Sequence, residues 1–279
     1  MTSDSSAGGG AGWASVAQGR ARWNTWFEQM TRPVNDWLCS KTNLAPGMTV
    51  LDIASGTGQP GLTAARIVGP TGRMIGIDIA QEMVDAATGL AEAEGLSNTE
   101  FRRMDAHELD FSSATFDAAV SRWGVMFPED TAKALASLHR VLKPGARYAA
   151  AFWDDQSKNP RQSFLDSVVR KALEEPPRGP TAGGVAYKFA DSTLLIDHLT
   201  SAGFRIGELE TVTWNYDFDS VDDFWQGLQE AWPSGRMNTL SDEQRARVRA
   251  LFDVEAECFW QDGLIRLPSS NHCLWAEKP

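Results

Sequence analysis

The chain has 279 residues, of which 42% are hydrophobic, and a formal charge of −11. That supplies apolar material for a sizeable core, while no run approaches the roughly 18 consecutive apolar residues of a membrane span, and the negative charge, with no Lys/Arg cluster to offset it, disfavours nucleic acid as a partner. A soluble, cytoplasmic chain is expected, without a membrane span; Cys39, Cys258 and Cys273, far apart and lacking C-x-x-C spacing, read as reduced thiols with no metal or disulfide role.

Residues 1–12, MTSDSSAGGGAG, are small, polar and glycine-rich, and read as a disordered tail. Residues 13–43 are expected to be helical, and the spacing of Trp23 and Trp26 puts both on one helical face. From Thr49 to Trp153 short apolar runs alternate with amphipathic ones. Strands are expected at 49–54, 73–78, 100–104, 117–121 and 147–153, and helices at 59–68, 80–94 and 130–142, where Leu135, Leu138, Val141 and Leu142 share a face. Gly-Pro at 69–70 and Pro-Gly at 144–145 stop two of these helices. Such alternation, with short connections, implies right-handed crossovers and an α/β fold with a parallel, doubly wound sheet.

Beyond Trp153 the rhythm changes. A helix at 161–174 runs into the turn-rich PPRGPTAGG (176–184), and a helix near 191–202 stops at Gly203. ELETVTWNYDF (208–218) reads as a strand; helices near 221–230 and 241–261 precede a last strand near 271–277. The chain from 13 to 279 is therefore read as one domain. Residues 44–153 are its cofactor-binding core, 154–186 and 219–265 a helical lid over the sheet's ligand edge, and 187–218 and 266–279 the segments that complete the sheet.

The stretch VLDIASGTGQPG (50–61) holds the most specific chemistry. Gly56 to Gly61 fit the G-x-G-x-x-G pattern, but glycines at this turn serve NAD and S-adenosylmethionine alike. Asp52 separates the two. A carboxylate within about 4 Å of a pyrophosphate costs on the order of several kcal/mol in a partly buried site, whereas it attracts the ammonium and sulfonium of S-adenosylmethionine. Asp78, ending the second strand, suits the hydroxyls of a ribose, and Asp105-Ala106, after the third, pairs a carboxylate with a free amide of the kind that reads an adenine. Acids at three successive strand ends describe a site for a cationic adenosine.

In order and spacing, VLDIASGTGQPGL, IGIDIAQEMV, MDAHELDFSSATFDAAVSRWGVMF and RVLKPGARYAAAFW resemble the successive motifs of class I S-adenosylmethionine-dependent methyltransferases, especially the ubiquinone/menaquinone-type small-molecule branch. The resemblance covers about residues 44–153. It implies a Rossmann-like, seven-stranded sheet, mostly parallel with an antiparallel last strand. It also implies that Asp52, Ala54, Gly56 and Gly58, with Gln59 in the same loop, line the methionine part. Asp78 then holds the ribose, Ile79 and Met83 lie against the adenine, Asp105 and Ala106 bind its edge, and Ser121 offers its carbonyl near the amino group. The N-terminal helix, with Trp26, closes over the cofactor. Ala54 departs from the commoner glycine and adds a methyl group beside the ligand.

Methyl transfer is an in-line displacement that orientation alone can accelerate by up to roughly 7–11 kcal/mol, so no triad is required, and none is evident. Trp23, Trp123, Met126, Phe127 and Trp153 are the expected acceptor pocket, since aromatic faces stack on planar acceptors and attract cations. A base is needed only where a proton leaves the acceptor; His107, Asp154 and His272 are the candidates, and none carries a decisive signal. The expected activity is transfer of a methyl group from S-adenosylmethionine to an O, N or nucleophilic C of a small hydrophobic, aromatic molecule in quinone or specialised metabolite biosynthesis, by a monomer or homodimer. The alternatives are a non-catalytic S-adenosylmethionine-binding partner protein and an NAD-dependent oxidoreductase.

Overall fold

The computed structural model describes residues 10–177, 184–231 and 235–279. Its centre is set by Val50, Leu51 and Ile53 on β1 (Thr49–Ile53), buried on both sides as a run without alternation should be in a parallel sheet. The other strands are β2 (Arg73–Asp78), β3 (Thr99–Arg103), β4 (Phe116–Arg122), β5 (Leu142–Trp153), β6 (Arg205–Phe218), β7 (Trp260–Gln261) and β8 (Leu264–Glu277). They form one sheet in the order β3-β2-β1-β4-β5-β8-β6, with the short β7 paired to β8. Leu51 aligns with Ile75 on one side and Ala119 on the other in parallel register. β8 runs antiparallel to both β5 and β6. The Rossmann-like sheet with its reversed last strand is thus present, and the strand order changes direction between β1 and β4, where such sheets bind ligands.

The helices are α1 (Gly10–Ala14), α2 (Ala17–Arg22), α3 (Asn24–Lys41), α4 (Gly61–Val68), α5 (Gln81–Ala93), α6 (Thr131–Val141), α7 (Pro160–Ala172), α8 (Ser192–Ser201), α9 (Val221–Glu230), α10 (Gly235–Asn238) and α11 (Asp242–Glu255). Val34, Leu38 and Cys39 of α3 and Ala64 and Val68 of α4 cover one face of the sheet. Leu135 and Leu138 of α6 and Leu195 and Leu199 of α8 cover the other, over Leu51, Ile75 and Phe116. A separate apolar cluster joins Phe164 and Val168 of α7, Phe224 and Leu228 of α9, and Val248 and Phe252 of α11 to Phe27, Tyr216, Phe218, Ile265 and Leu267. The long β6–β8 ladder therefore carries a second, helical layer at the C-terminal edge of the parallel strands.

One difference from the sequence expectations has a physical cause, and two expectations fall partly outside the described residues. Of the tail expected at 1–12, residues 1–9 lie outside the described residues, and the next ones enter α1. The helix expected to run to 261 stops at Glu255, because Asp262 and Gly263 both adopt positive φ (50° and 82°) and turn β7 back onto β8. That is the two-residue Asp-Gly hairpin turn, and it lengthens the last strand to begin at Leu264. Part of PPRGPTAGG, residues 178–183, lies outside the described residues. Among the described residues no helix is long and apolar enough to cross a membrane, and no cluster of three or more His, Cys, Asp or Glu side chains is placed to hold a metal.

Candidate functional site

The chain leaves β1 through Ala54 (φ 55°), Gly56 (φ 53°) and Gly58 (φ 107°) before entering α4. Asp52 lies fully buried beneath this loop, where its Oδ2 accepts the Gly61 N–H at 2.8 Å. A Cβ on Gly61 would stand 2.7 Å from that oxygen and 2.9 Å from Met74 Sδ. The last glycine of the pattern is thus demanded by the acid and by Met74, not by a phosphate. Gly56 donates its N–H to Asp78 Oδ2 at 2.9 Å, and the Ala80 N–H reaches Asp78 Oδ1 at 3.0 Å, so the acid ending β2 ties the loop to the start of α5.

A Cβ at Gly56 would meet nothing within 4 Å, which leaves open space over the loop. Beside it Ile79 is 46% exposed, an apolar platform in an otherwise buried turn. Asp52 Oδ1, Ser55 Oγ and Gln59 Nε2 are buried around the loop with no hydrogen-bond partner. Orphaned polar atoms of this kind mark a place where a ligand completes the set. An acid poised for a ribose, an apolar surface for a base, and an open loop with mixed donors and acceptors for an amino acid fit S-adenosylmethionine.

Burial changes the charge argument. Desolvation pushes the Asp52 carboxyl up to about 8, with the Gly61 N–H and the Arg122 charge pulling the other way. Asp78 is also raised, by burial first, against the N–H groups of Ala80, Gly56 and Ile79. Asp52 is therefore mostly protonated at neutral pH, not the standing charge that the sequence argument assumes. A positive charge brought beside it would favour its ionised form.

The N-terminal helices form a strap across the cleft. Val16 and Ala17 pack with Ala80 and Met83, so Met83, only 1% exposed, is covered by the strap. Trp13 meets Phe127 edge-on at 5.5 Å. At the other end Gly19 abuts α9 so closely that a Cβ would fall 1.9 Å from the Glu230 carbonyl oxygen. Arg20 donates to the Ala231 carbonyl at 3.3 Å and the Trp23 indole to Glu230 at 3.1 Å. Trp26, expected over the cofactor, packs against β6 in this structure. Its indole N–H donates to the Asp217 carbonyl at 2.8 Å and its ring stacks on Tyr216 at 5.6 Å, because the face it shares with Trp23 is the one that docks on β6.

Asp105 Oδ1 accepts the His107 N–H at 2.9 Å and contacts His107 Nδ1 at 2.6 Å, while Nε2 accepts the Asp130 N–H at 3.2 Å. Both ring nitrogens join this turn to the start of α6. Ala106 packs against the core. Ser121 is fully buried and donates from Oγ to the Ile53 carbonyl at 2.9 Å, locking β4 to β1. The extra methyl of Ala54 fits because residue 124 is glycine: a Cβ there would lie 2.6 Å from Ala54 Cβ.

Trp123 follows β4 at φ 59°, a conformation that is strained for a bulky residue and clusters at functional sites. It stacks on Trp153 at 4.6 Å and 10°, lies 6.1 Å from Trp214, and donates its N–H to Asn271. The Arg122 guanidinium sits 4.7 Å over Trp123 and donates to Thr31 Oγ1 at 2.6 Å and Asn35 Oδ1 at 2.8 Å. Arg161 of α7 lies 5.5 Å over Trp153 and 5.0 Å over Tyr216. Of the expected acceptor pocket, Trp123 and Trp153 come together and Phe127 meets the strap. Trp23 instead packs with Trp26 and Phe218 in the lid, and Met126, 0% exposed, belongs to the main core.

Asp154 binds Ser270 Oγ at 2.7 Å, Lys158 Nζ at 2.9 Å and the Asp155 N–H at 2.6 Å, with His272 Nε2 at 3.3 Å. Those contacts stitch the end of β5 to β8. His272 Nδ1 is buried without a partner. Sequence reasoning missed Arg20, Arg122, Arg161, Trp214 and Asn271. The Arg-Trp pair at the end of β4, on the ligand edge, was the one available signal.

Residues 50–145 match the methyltransferase domain family model. The chain is 32% identical over 153 residues to a 2-phytyl-1,4-naphtoquinone methyltransferase of Nostoc sp., covering 49% of this chain and 67% of that protein. It is 30% identical over 177 residues to the ubiquinone/menaquinone biosynthesis C-methyltransferase UbiE of Escherichia coli, covering 63% of this chain and 68% of the relative. The matches thus span about two thirds of these relatives' length. Among solved structures, the [4+2]-cyclase SpnF is similar with a TM-score of 0.54 at 24% identity, over 88% of this chain and 80% of that one. Geranyl diphosphate C-methyltransferase from Streptomyces coelicolor, solved with S-adenosyl-L-homocysteine, is similar with a TM-score of 0.51 at 14% identity, over 90% of this chain and 80% of that one. These likenesses of structure speak for the fold alone. With its glycine loop, its acids at successive strand ends and these relatives, the chain belongs to the class I S-adenosylmethionine-dependent methyltransferases of the ubiquinone/menaquinone type.

Proposed function

We propose that the chain methylates an O, N or nucleophilic C of a small, largely apolar aromatic acceptor in quinone or specialised metabolite biosynthesis. The observation that carries this reading is the tryptophan stack, Trp123 between Trp153 and Trp214, standing after β4 beside the glycine loop. The stacked rings give this end of the sheet a rigid apolar wall, and a strained residue such as Trp123 is tolerated at a functional site. Two relatives with quinone-biosynthesis activities in their names support the class of acceptor.

The chain's own groups divide the work. In this reading Asp78 holds the ribose, Ile79 faces the adenine, and Gly56 and Gly58 let the backbone approach the methionine part, with Asp52 below. The bound cofactor supplies an electrophilic methyl group on a sulfonium. The strap from Trp13 to Arg22, fixed at Met83 and at Glu230, and the layer of α7, α9 and α11 shut the cleft. Expulsion of water then strengthens the attraction between the buried acids and positive charge. Where the acceptor is a phenol or carbon acid, a proton must leave it, and His107, Asp154 and His272 are the side chains put forward to take it.

The test is label transfer. Incubation with methyl-labelled S-adenosylmethionine and a panel of phenols, quinols, indoles and amines is expected to give a product heavier by one methylene, and loss of that product is expected for Trp123→Ala. A panel in which only aliphatic amines or only macromolecules are labelled would contradict the reading.

A further inference from the structure

Three buried donors adjoin the indole of Trp123 without a hydrogen-bond partner: Arg122 Nε, Trp214 Nε1 and Asn271 Nδ2. The register of the sheet brings them together. Asn271 of β8 lies opposite Trp153 of β5 and Val212 of β6, and Trp214, two residues beyond Val212, leaves the pleat on the same side. Trp123 stacks on Trp153 at 4.6 Å and on Trp214 at 6.1 Å, and Asn271 Oδ1 accepts its N–H. The Arg122 guanidinium covers the same ring at 4.7 Å, while Thr31 and Asn35 of α3 hold one of its terminal nitrogens. The residue after Trp123, Gly124, lies against the cofactor loop, since a Cβ on it would stand 2.6 Å from Ala54 Cβ. The donors therefore gather at the C-terminal end of the parallel strands, next to the turn that touches that loop.

All three groups can only donate. An indole N–H and a guanidinium offer no lone pair, and the amide NH2 of Asn271 is fixed as the free end because its oxygen already holds the Trp123 N–H. Asn271 is 0% exposed, so bulk solvent does not reach it. A buried donor left unmade costs about 1–3 kcal/mol, and three of them around one ring mark a place completed from outside the chain. The unpartnered atoms of the cofactor loop, Asp52 Oδ1, Ser55 Oγ and Gln59 Nε2, differ in kind: they mix acceptor and donor, as the zwitterionic end of an amino acid requires. The set around Trp123 complements an atom that accepts, such as a ring carbonyl or a phenolic oxygen. An amine or an indole N–H would bring a donor to donors.

Resting on the methyltransferase reading above, we propose that the acceptor is an arene carrying a carbonyl or phenolic oxygen, and that Asn271 and Trp214, with Arg122, donate hydrogen bonds to that oxygen. Asn271 and Trp214 are then specificity-determining residues. Trp123, at φ 59° and bonded to Asn271, is a positioning residue that orients the free NH2. Selectivity follows from what a wrong ligand leaves behind: an isostere with a methylene or methyl in place of the oxygen buries the donors unmade, and sites built to hydrogen-bond a group discriminate strongly against analogues that lack it.

The experiment uses the full chain saturated with S-adenosyl-L-homocysteine, and calorimetry follows the binding of paired probes: tetralone beside tetralin, and naphthol beside methylnaphthalene. Expected is tighter binding of the oxygenated member of each pair by about tenfold or more. Most of that ratio should be lost in Trp214→Phe, which keeps a ring but not the donor, and in Asn271→Leu, which keeps the shape but not the N–H. Binding of the hydrocarbons and of S-adenosyl-L-homocysteine should be unchanged in Trp214→Phe, whereas a merely structural role would weaken both members of a pair alike. Thermal melting identifies a variant that has not folded, in which case the other variant and the wild-type ratio decide. The proposal is overturned if the hydrocarbons bind as well as their oxygenated partners, as they would if a buried water answered the donors, if no oxygenated probe binds, or if a folded variant keeps the full ratio. Absence of S-adenosyl-L-homocysteine binding to the wild type would instead strike the underlying reading, and is seen before any probe is added.

Discussion

Replacing Asp52 with Asn is expected to move stability and cofactor affinity in opposite directions. In the folded chain the carboxyl titrates at about 8, against 3.8 for an ordinary aspartate. Because the folded value is the raised one, its contribution to stability is full below the unfolded value and is lost as pH climbs through the folded value. Evaluated at pH 7, where folded Asp52 keeps its proton in about nine molecules of ten and unfolded Asp52 has lost it, the cost is on the order of 4 kcal/mol relative to a side chain that never ionises. Asn keeps an oxygen for the Gly61 N–H but buries an NH2 where Oδ1 has no partner, which returns about 1–3 kcal/mol. The variant should therefore melt higher than the wild type near pH 8, and the advantage should shrink steadily toward pH 4. A bound ammonium and sulfonium favour the ionised acid, so binding to the wild type at pH 7 should expel most of one proton, and binding to Asp52→Asn none. Melting from pH 4 to 8.5, and calorimetry in buffers of different ionisation enthalpy, read the two effects. A variant less stable than the wild type at pH 8, or a wild-type binding enthalpy that ignores the buffer, would refute the reasoning.

Other perturbations act through geometry. Ala54→Gly should stabilise the chain by about 1 kcal/mol in denaturant melts, since Ala54 holds φ 55°, where an alanine methyl is unfavourable. Gly19→Val should leave the sheet folded by circular dichroism and weaken S-adenosyl-L-homocysteine by about tenfold or more, because the strap can no longer meet Glu230. Gly56→Val should abolish binding with little loss of stability beyond its backbone strain, since the open space over the loop is what it fills.

The parallel half of the fold was legible because each buried strand is a short apolar run between turn residues, and the helices between them are amphipathic. β1, β2 and the acids they carry, Asp52 and Asp78, fall where spacing places them. The ends of the chain were less legible. The Asp262-Gly263 hairpin was present as a signal, but the apolar residues before it also satisfy a helical period, and the turn chemistry won. Trp23 and Trp26 do share a helical face; spacing says nothing of whether that face meets a cofactor or the ladder of β6. Asp52 illustrates a deeper limit. Its position is written in the sequence, but its charge depends on burial by Met74, Gly61 and the loop, which only the assembled structure provides. Arg161 is invisible for the same reason, since an arginine in sequence is a surface residue until packing buries it.

The central claim is that Asp78 and the loop around Gly56 hold S-adenosylmethionine. A crystal structure grown with S-adenosyl-L-homocysteine tests it most directly. The ribose hydroxyls should lie about 3 Å from the Asp78 carboxylate, with the amino-acid tail over Gly56 above Asp52. A ligand seated elsewhere, or in place with Asp78 bonded only to Gly56 and Ala80, would contradict it.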